Sequence, residues 1–117
     1  MPNLNDKRRT KRRHLIYYLR VFNRLNNELL GHLADITSEG LMIVGEHSVP
    51  VGQAYQLHMA LPAEILGKET MDFDAVALWS RPDVDPAFYA TGFQIHEIAE
   101  MDLKIIRRLI KDFGFQD

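Results

Sequence analysis

The sequence predicts an all-β fold, a six-stranded antiparallel β-barrel or a strongly curved sheet closed on itself, followed by a C-terminal α-helix. Two observations lead to this prediction. Short apolar or alternating runs are separated by turn residues, without helical periodicity between them. The last segment instead has apolar residues three or four positions apart, with basic residues on the other side. With 117 residues, the chain is long enough for one domain with a single modest core.

Each strand is predicted from a short stretch of the chain. Residues 15–22 are rich in aromatic and branched side chains, and the Asn-rich stretch 23–28 supplies a turn after them. Residues 53–61 alternate, which predicts one buried face that includes Leu57 and Met59 and one wetter face. The other strands are predicted at 29–36, 40–45, 73–80 and 88–95. The barrel therefore covers about residues 15–97.

The helix is predicted at about residues 99–113, directly before Gly114, which stops it. We expect its apolar stripe to pack across one opening or flank of the barrel. The stripe consists of Leu103, Ile106, Leu109, Ile110 and Phe113, and the opposite side carries Lys104, Arg107, Arg108 and Lys111.

Composition narrows the class of protein. Apolar residues make up 46% and charged residues 26% of the chain, as in ordinary folded proteins. No stretch approaches the roughly 18 apolar residues that cross a bilayer, so we expect no membrane span and no signal peptide. Cysteine is absent, which fits a reducing compartment, and we expect the protein in the cytoplasm.

Catalytic and metal-binding patterns are missing from the sequence. It contains no G-x-S-x-G elbow, phosphate loop or dinucleotide fingerprint, and its five histidines are scattered. Asp72 and Asp74 share a strand face and could hold a hard cation, but a solvated strand edge explains them better. We therefore expect a protein that is not an enzyme and has no metal site.

Positive charge is concentrated at the start of the chain. Of 14 Lys and Arg residues, six lie within 7–13, whereas from Asn26 onward six basic residues face 15 acidic ones. Such asymmetry indicates either a basic segment that binds a polyanion or a binding site for a specific anionic ligand. We predict a flexible basic arm at residues 1–13 and a single domain at 14–117.

Two short patterns carry this interpretation further. Arg9 and Arg13 form R-x-x-x-R, and Arg8 with Arg12 forms an overlapping copy. The stretch "DITSEG", residues 35–40, forms the second pattern. Taken alone, this stretch is an ordinary turn in which Asp and Thr bond their own backbone and Gly40 supplies a positive φ.

In this order, the two patterns resemble the PilZ family of cyclic di-GMP receptors. That family carries R-x-x-x-R before a six-stranded barrel and D/N-x-S-x-x-G at a later turn between strands. The resemblance covers nearly the whole chain, since "ALWSR" and "YATGFQI" look like the family's late tryptophan strand and its glycine and phenylalanine strand. It implies a PilZ-like split barrel with a C-terminal helix. Trp79 is expected in the core or in a pocket wall.

The resemblance implies that the ligand is cyclic di-GMP and that no other cofactor is needed. Arginine can bond a phosphate or the O6 and N7 edge of guanine, while a carboxylate accepts from guanine N1 and N2. Thr37 departs from the family's usual serine by one methyl group, and the register Arg8 with Arg12 stays open. The implied ligand-binding residues are Arg8, Arg9, Arg13, Asp35, Thr37 and Gly40.

The predicted function is that of a cyclic di-GMP receptor whose arm, mobile without ligand, wraps over the bound nucleotide and relays the signal to a protein partner. One alternative is a PilZ-like adaptor that contacts proteins without binding nucleotide. Another is a non-specific nucleic-acid binder, which the acidic body of the chain disfavours. A homodimer is left open.

Overall fold

The computed structural model describes residues 19–61 and 67–113. Within these ranges the chain forms six β-strands, all paired antiparallel, and one helix. The strand order β1-β2-β3-β6-β5-β4 closes into a barrel. The predicted antiparallel barrel with a C-terminal helix is therefore confirmed. The elements are β1 (Arg20–Asn23), β2 (Glu28–Ile36), β3 (Gly40–Gly45), β4 (Ala54–Ala60), β5 (Thr70–Pro82), β6 (Tyr89–Glu97) and α1 (Glu100–Phe113).

Alternate residues of each strand fill the barrel interior, as the pleat of a strand requires. On β4, Leu57 and Met59 are fully buried, whereas His58 between them is only half-buried and faces outward. The buried face that the sequence predicts for this segment is therefore confirmed. The other strands contribute Val21, Leu33, Ile36, Leu41, Ile43, Met71, Phe73, Ala75, Ala77 and Phe93 to the same core.

The boundaries of β5 and β1 differ most from the predicted ones, whereas those of the other strands agree within two residues. β5 is longer than the predicted run 73–80, because residues at its start pair with β4 and Arg81–Pro82 pair with β6. Proline is tolerated there because β5 pairs only with β6 at this end, so its other side is a strand edge. β1 begins at Arg20, and the predicted strand residues 15–18 lie outside the described residues, as does the arm proposed at 1–13.

Helix α1 packs its apolar face onto the barrel. Ile106 and Leu109 are fully buried and belong to the same cluster as the strand residues, as the sequence predicts. In the first turn, the Asp102 carboxylate accepts a hydrogen bond of 2.7 Å from the Lys68 ammonium group. This contact connects the start of the helix to the segment that leads into β5. Among the described residues, no helix has the length and hydrophobicity that crossing a bilayer requires.

One tyrosine connects the β3–β4 loop to the barrel. The Tyr55 hydroxyl donates to the carbonyl of Pro50 at 2.9 Å, and its ring meets Phe93 edge-on at 5.8 Å. Burial raises the pKa of the Tyr55 hydroxyl above its ordinary value. The hydroxyl therefore stays protonated at neutral pH and remains a donor.

Candidate ligand-binding site

The predicted site residues Asp35, Thr37 and Gly40 lie together at the turn between β2 and β3. The backbone N–H of Thr37 donates to the Gly40 carbonyl at 2.8 Å. The Thr37 hydroxyl oxygen accepts from the backbone N–H groups of Gly40 at 3.2 Å and Glu39 at 3.1 Å. The hydroxyl therefore stabilises the turn, as the sequence predicts for a threonine in an ordinary turn.

Gly40 is needed for a reason other than the one that the sequence suggests. It does not adopt a positive φ, unlike Gly52 and Gly67. A Cβ atom at this position would instead lie 2.5 Å from the carbonyl oxygen of Phe93 on β6. The expectation of a positive φ is therefore wrong, and close contact between two strands excludes a side chain here.

A β-bulge places Asp35 on the outer surface of the barrel. The register of β2 against β3 shifts between Leu33 and Asp35, so that Ala34 is an extra residue. Leu33 and Ile36 point inward, and strict alternation after Leu33 would have pointed Asp35 inward too. The bulge therefore turns the carboxylate to the outside. Its Oδ1 accepts from the N–H of Ile36 at 2.9 Å.

The register extends from Asp35 across three neighbouring strands on the same outer face. Asp35 pairs with Met42 of β3, Met42 with Gly92 of β6, and Gly92 with Trp79 of β5. Neighbouring strands are about 4.8 Å apart, so the row spans about 14 Å. We call these four residues the outer row. It forms a shallow surface with a carboxylate at one end and an indole at the other.

Trp79 lies on the outer face and not in the core. A second register shift, between Ala77 and Trp79, gives this strand its own bulge at Leu78. The indole lies against Gly92, where a Cβ atom would come within 2.4 Å of the ring. The guanidinium carbon of Arg81 lies 4.2 Å from the ring centroid, a cation–π contact. Of the two places expected for this side chain, the core is therefore wrong.

Two arginines on the outer face were missed at the sequence level. Arg20 pairs with His32 of β2, and Arg81 pairs with Ala90 of β6, in the row beside the outer row. Both arginines are exposed. The W-x-R spacing within β5 could have indicated that Trp79 and Arg81 share a face, because side chains two apart on a strand point the same way.

The basic arm joins the fold beside this site. The N–H of Leu33 on β2 donates to the carbonyl of Leu19 at 2.8 Å. Leu19 directly precedes β1, and Leu33 lies two residues before Asp35, so β1 begins close to Asp35. Arg13 precedes Leu19 by six residues, over which an extended chain reaches at most about 20 Å. Arg8, Arg9, Arg12 and Arg13 lie outside the described residues. Their attachment point is nevertheless at the end of the barrel that carries the β2–β3 turn.

A separate polar cluster lies on the outer face of β4 and β5. Asp72 contacts the Nδ1 atom of His58 at 2.6 Å and Arg24 at 3.4 Å, and Arg24 also donates to Gln56 at 2.9 Å. At Asp72, β5 pairs with His58 of β4, but its pairing with β6 begins only at Asp74, so Asp72 lies on an open, solvated edge of the strand, as the sequence suggested. In ranges 19–61 and 67–113, no three His, Asp or Glu side chains are grouped as a metal site requires.

A cleft of about 630 Å³ lies beside this cluster and contains none of the predicted site residues. Asp72, Asp74 and Glu97 give its lining an acidic character, which Arg24 and His96 only partly offset. An acidic lining repels the phosphates of a nucleotide. The candidate site for an anionic ligand is therefore the outer row, not the cleft.

Comparisons with known proteins agree with the architecture. A family model described as PilZ domain matches residues 6–112. A solved structure titled "Structure of Bacillus subtilis Inhibitor of motility (MotI/DgrA)" is similar, with a TM-score of 0.60 and 18% identity. The similarity covers 81% of this chain but 47% of that one, so this chain spans about half the length of that protein. No curated protein sequence matches significantly. Because the family model covers nearly the whole chain, the protein belongs to the PilZ domain family.

Proposed function

We propose that the protein is a cyclic di-GMP receptor that acts on a protein partner in the cytoplasm and is not an enzyme. The observation that carries the proposal is the position of Asp35. A bulge turns its carboxylate to the outer face, in one row with Trp79 and beside the point where the arginine arm joins the barrel. A carboxylate, an aromatic ring and an arginine-rich arm are the groups that a guanine nucleotide needs.

In the proposed complex, each group has a separate task. Arg9 and Arg13 bind phosphate oxygens or the O6 and N7 edge of guanine, with Arg8 as a further contact. Asp35 accepts from guanine N1 and N2 through its two carboxylate oxygens, because Oδ1 keeps a second lone pair beside the one that accepts from the Ile36 N–H. Thr37 and Gly40 hold the turn that positions this carboxylate.

The ordering of the arm sets the affinity. Each charge-assisted hydrogen bond contributes about 1.5–3 kcal/mol, from which the cost of ordering the arm is subtracted. Three or four such bonds support a Kd of about 1 μM or lower. Binding moves the arm over the outer row, and the changed surface is what a protein partner recognises.

Isothermal titration calorimetry tests the proposal. Cyclic di-GMP is titrated into the whole chain, with GTP and a DNA oligonucleotide as controls. We expect saturable heat of binding with cyclic di-GMP and none with either control. Absence of binding would contradict the proposal, and equal binding of the oligonucleotide would favour the nucleic-acid alternative.

One observation supports a second candidate, an adaptor of the same fold that binds no nucleotide. Both Thr37 and Gly40 are already required by the turn and by the contact with β6. These motif residues would be retained in a domain that has lost its ligand. No heat with cyclic di-GMP, together with an intact fold, would favour this candidate.

A further inference from the structure

The positive charge of the barrel domain is concentrated on one face of α1. Residues 14–117 contain eight Lys and Arg residues, and four of them lie on this helix. All four are exposed. We call them the α1 basic stripe: Lys104, Arg107, Arg108 and Lys111.

The stripe lies opposite the face that the helix buries. Ile106 and Leu109 are fully buried against the barrel, and at 100° per residue the stripe covers the diametrically opposite arc. Met101 lies on the same arc and is 66% exposed. The solvent side of α1 is therefore mostly basic, with the exposed side chains of Glu100 and Met101 at its N-terminal end.

The stability of the helix does not explain this pattern. Like charges four residues apart, as in the pairs Lys104 with Arg108 and Arg107 with Lys111, destabilise a helix by about 0.2–0.5 kcal/mol each. Among the described residues, no ion pair connects Lys104, Arg107 or Lys111 to a carboxylate. The helix dipole favours a cation in the last turn, which accounts for Lys111, and the favourable spacing from Glu100 accounts for Lys104, but neither accounts for Arg107.

We propose that the α1 basic stripe is a docking surface for an acidic segment of a partner protein. Between Lys104 and Lys111 the helix rises about 10 Å, so the complementary segment carries carboxylates over two helical turns. Arginine binds carboxylates through two parallel hydrogen bonds, and protein interfaces are enriched in arginine and methionine. The partner also supplies an apolar side chain that covers Met101.

Two other anionic partners fit the surface less well. A membrane would be held by charge alone, because Ile106 and Leu109 are buried in the barrel and cannot enter lipid. A nucleic acid would meet the 15 acidic residues that follow Asn26, which repel a long polyphosphate. A short acidic protein segment needs no insertion into lipid and extends over fewer of these carboxylates than a long polyphosphate does. The proposal does not depend on cyclic di-GMP binding.

A fluorescently labelled helical peptide serves as the probe, with glutamates at positions i, i+3, i+4 and i+7 and one leucine beside them. Its anisotropy is measured with the whole chain and with two double variants. We expect Arg107→Glu with Lys111→Glu to weaken binding at least about tenfold. The matched control, Lys7→Glu with Lys11→Glu, makes the same charge change in the arm at residues without a proposed ligand contact, and we expect less than about a twofold effect.

Several results would overturn the proposal. These are no binding of the peptide, equal binding of a peptide with its glutamates scrambled around the helix, or a larger loss in the arm variant. Tighter stripe-dependent binding of duplex DNA, or of vesicles of phosphatidylcholine with phosphatidylserine, would also overturn it. Both stripe positions are exposed, so circular dichroism is expected to show the same fold in every variant.

Discussion

Gly40 lies so close to β6 that a side chain has no room there. A Cβ atom would meet the carbonyl oxygen of Phe93 at 2.5 Å, and backbone cannot move aside as a flexible side chain can. Thr37 also has a structural role, because its hydroxyl oxygen accepts hydrogen bonds from two N–H groups of the turn. Of the three motif residues in the turn, Asp35 therefore keeps the most capacity for a ligand.

At Gly40, alanine is expected to destabilise the fold by about 2–3 kcal/mol, because β3 and β6 must separate to admit the new methyl group. Gly52→Ala is the matched control. Nothing lies within 4 Å of its Cβ position, so only its left-handed φ costs free energy, about 1 kcal/mol. Urea unfolding measures both. A smaller loss for Gly40→Ala than for Gly52→Ala would contradict the account of the strand contact.

Asp35 and Thr37 are expected to separate binding from stability. Asp35→Ala weakens cyclic di-GMP binding at least about tenfold, a loss of about 1.4 kcal/mol, and lowers the unfolding free energy by less than about 1 kcal/mol, because only the Ile36 N–H loses its acceptor. Thr37→Val removes the acceptor for two N–H groups and lowers the unfolding free energy by about 1–2 kcal/mol, whereas Thr37→Ser keeps it. Calorimetry measures cyclic di-GMP binding by each variant, and thermal unfolding measures its stability. Undiminished binding by Asp35→Ala would remove this residue from the site.

At the scale of elements, two bulges determine what the outer face displays. Ala34 on β2 and Leu78 on β5 each add one residue, after which the side-chain alternation is reversed. Without them, Asp35 and Trp79 would both point toward the interior. An alternating pattern identifies strands but does not show where an extra residue interrupts it. For this reason the sequence predicted β2 and β5 but did not predict the outer row.

The contact between Lys68 and Asp102 is expected to stabilise the docking of α1. Asp102 is nearly buried, and its side chain is 10% exposed, whereas that of Lys68 is 45% exposed and screened by water. We expect a coupling free energy of about 1 kcal/mol in a double-mutant cycle of Lys68→Ala and Asp102→Ala. Lys104→Ala, on the exposed face, is the control. Zero coupling would show that the apolar contacts alone hold the helix.

At the scale of the whole molecule, much of the fold could be predicted from the sequence. The number of strands, the buried face of β4 and the apolar stripe of α1 all follow from local periodicity. The site could be predicted only as motif residues, since their arrangement depends on register between strands that are distant in the chain. Gly92 joins the site through such a pairing, which no local pattern reveals, whereas the W-x-R spacing places Arg81 on the same face as Trp79.

The arm and the barrel are expected to be separable. Deleting residues 1–13 is expected to leave the core cluster intact, because the core residues in the part of the chain that the structure describes lie between Leu19 and Leu109. The unfolding temperature is therefore expected to stay the same, while cyclic di-GMP binding is lost with the arginines. Calorimetry and thermal unfolding of the shortened chain measure the two effects. Full binding without the arm would show that the barrel alone supplies the site.

The central claim is that the arginine arm and the outer row form one binding surface. Amide and indole chemical shifts of the isotopically labelled chain, followed during titration with cyclic di-GMP, test it most directly. We predict the largest changes at Asp35–Gly40, at Gly92, at the Trp79 indole N–H and in residues 8–13. Changes centred on the cleft at Asp72 and Glu97, with the outer row unaffected, would contradict the claim.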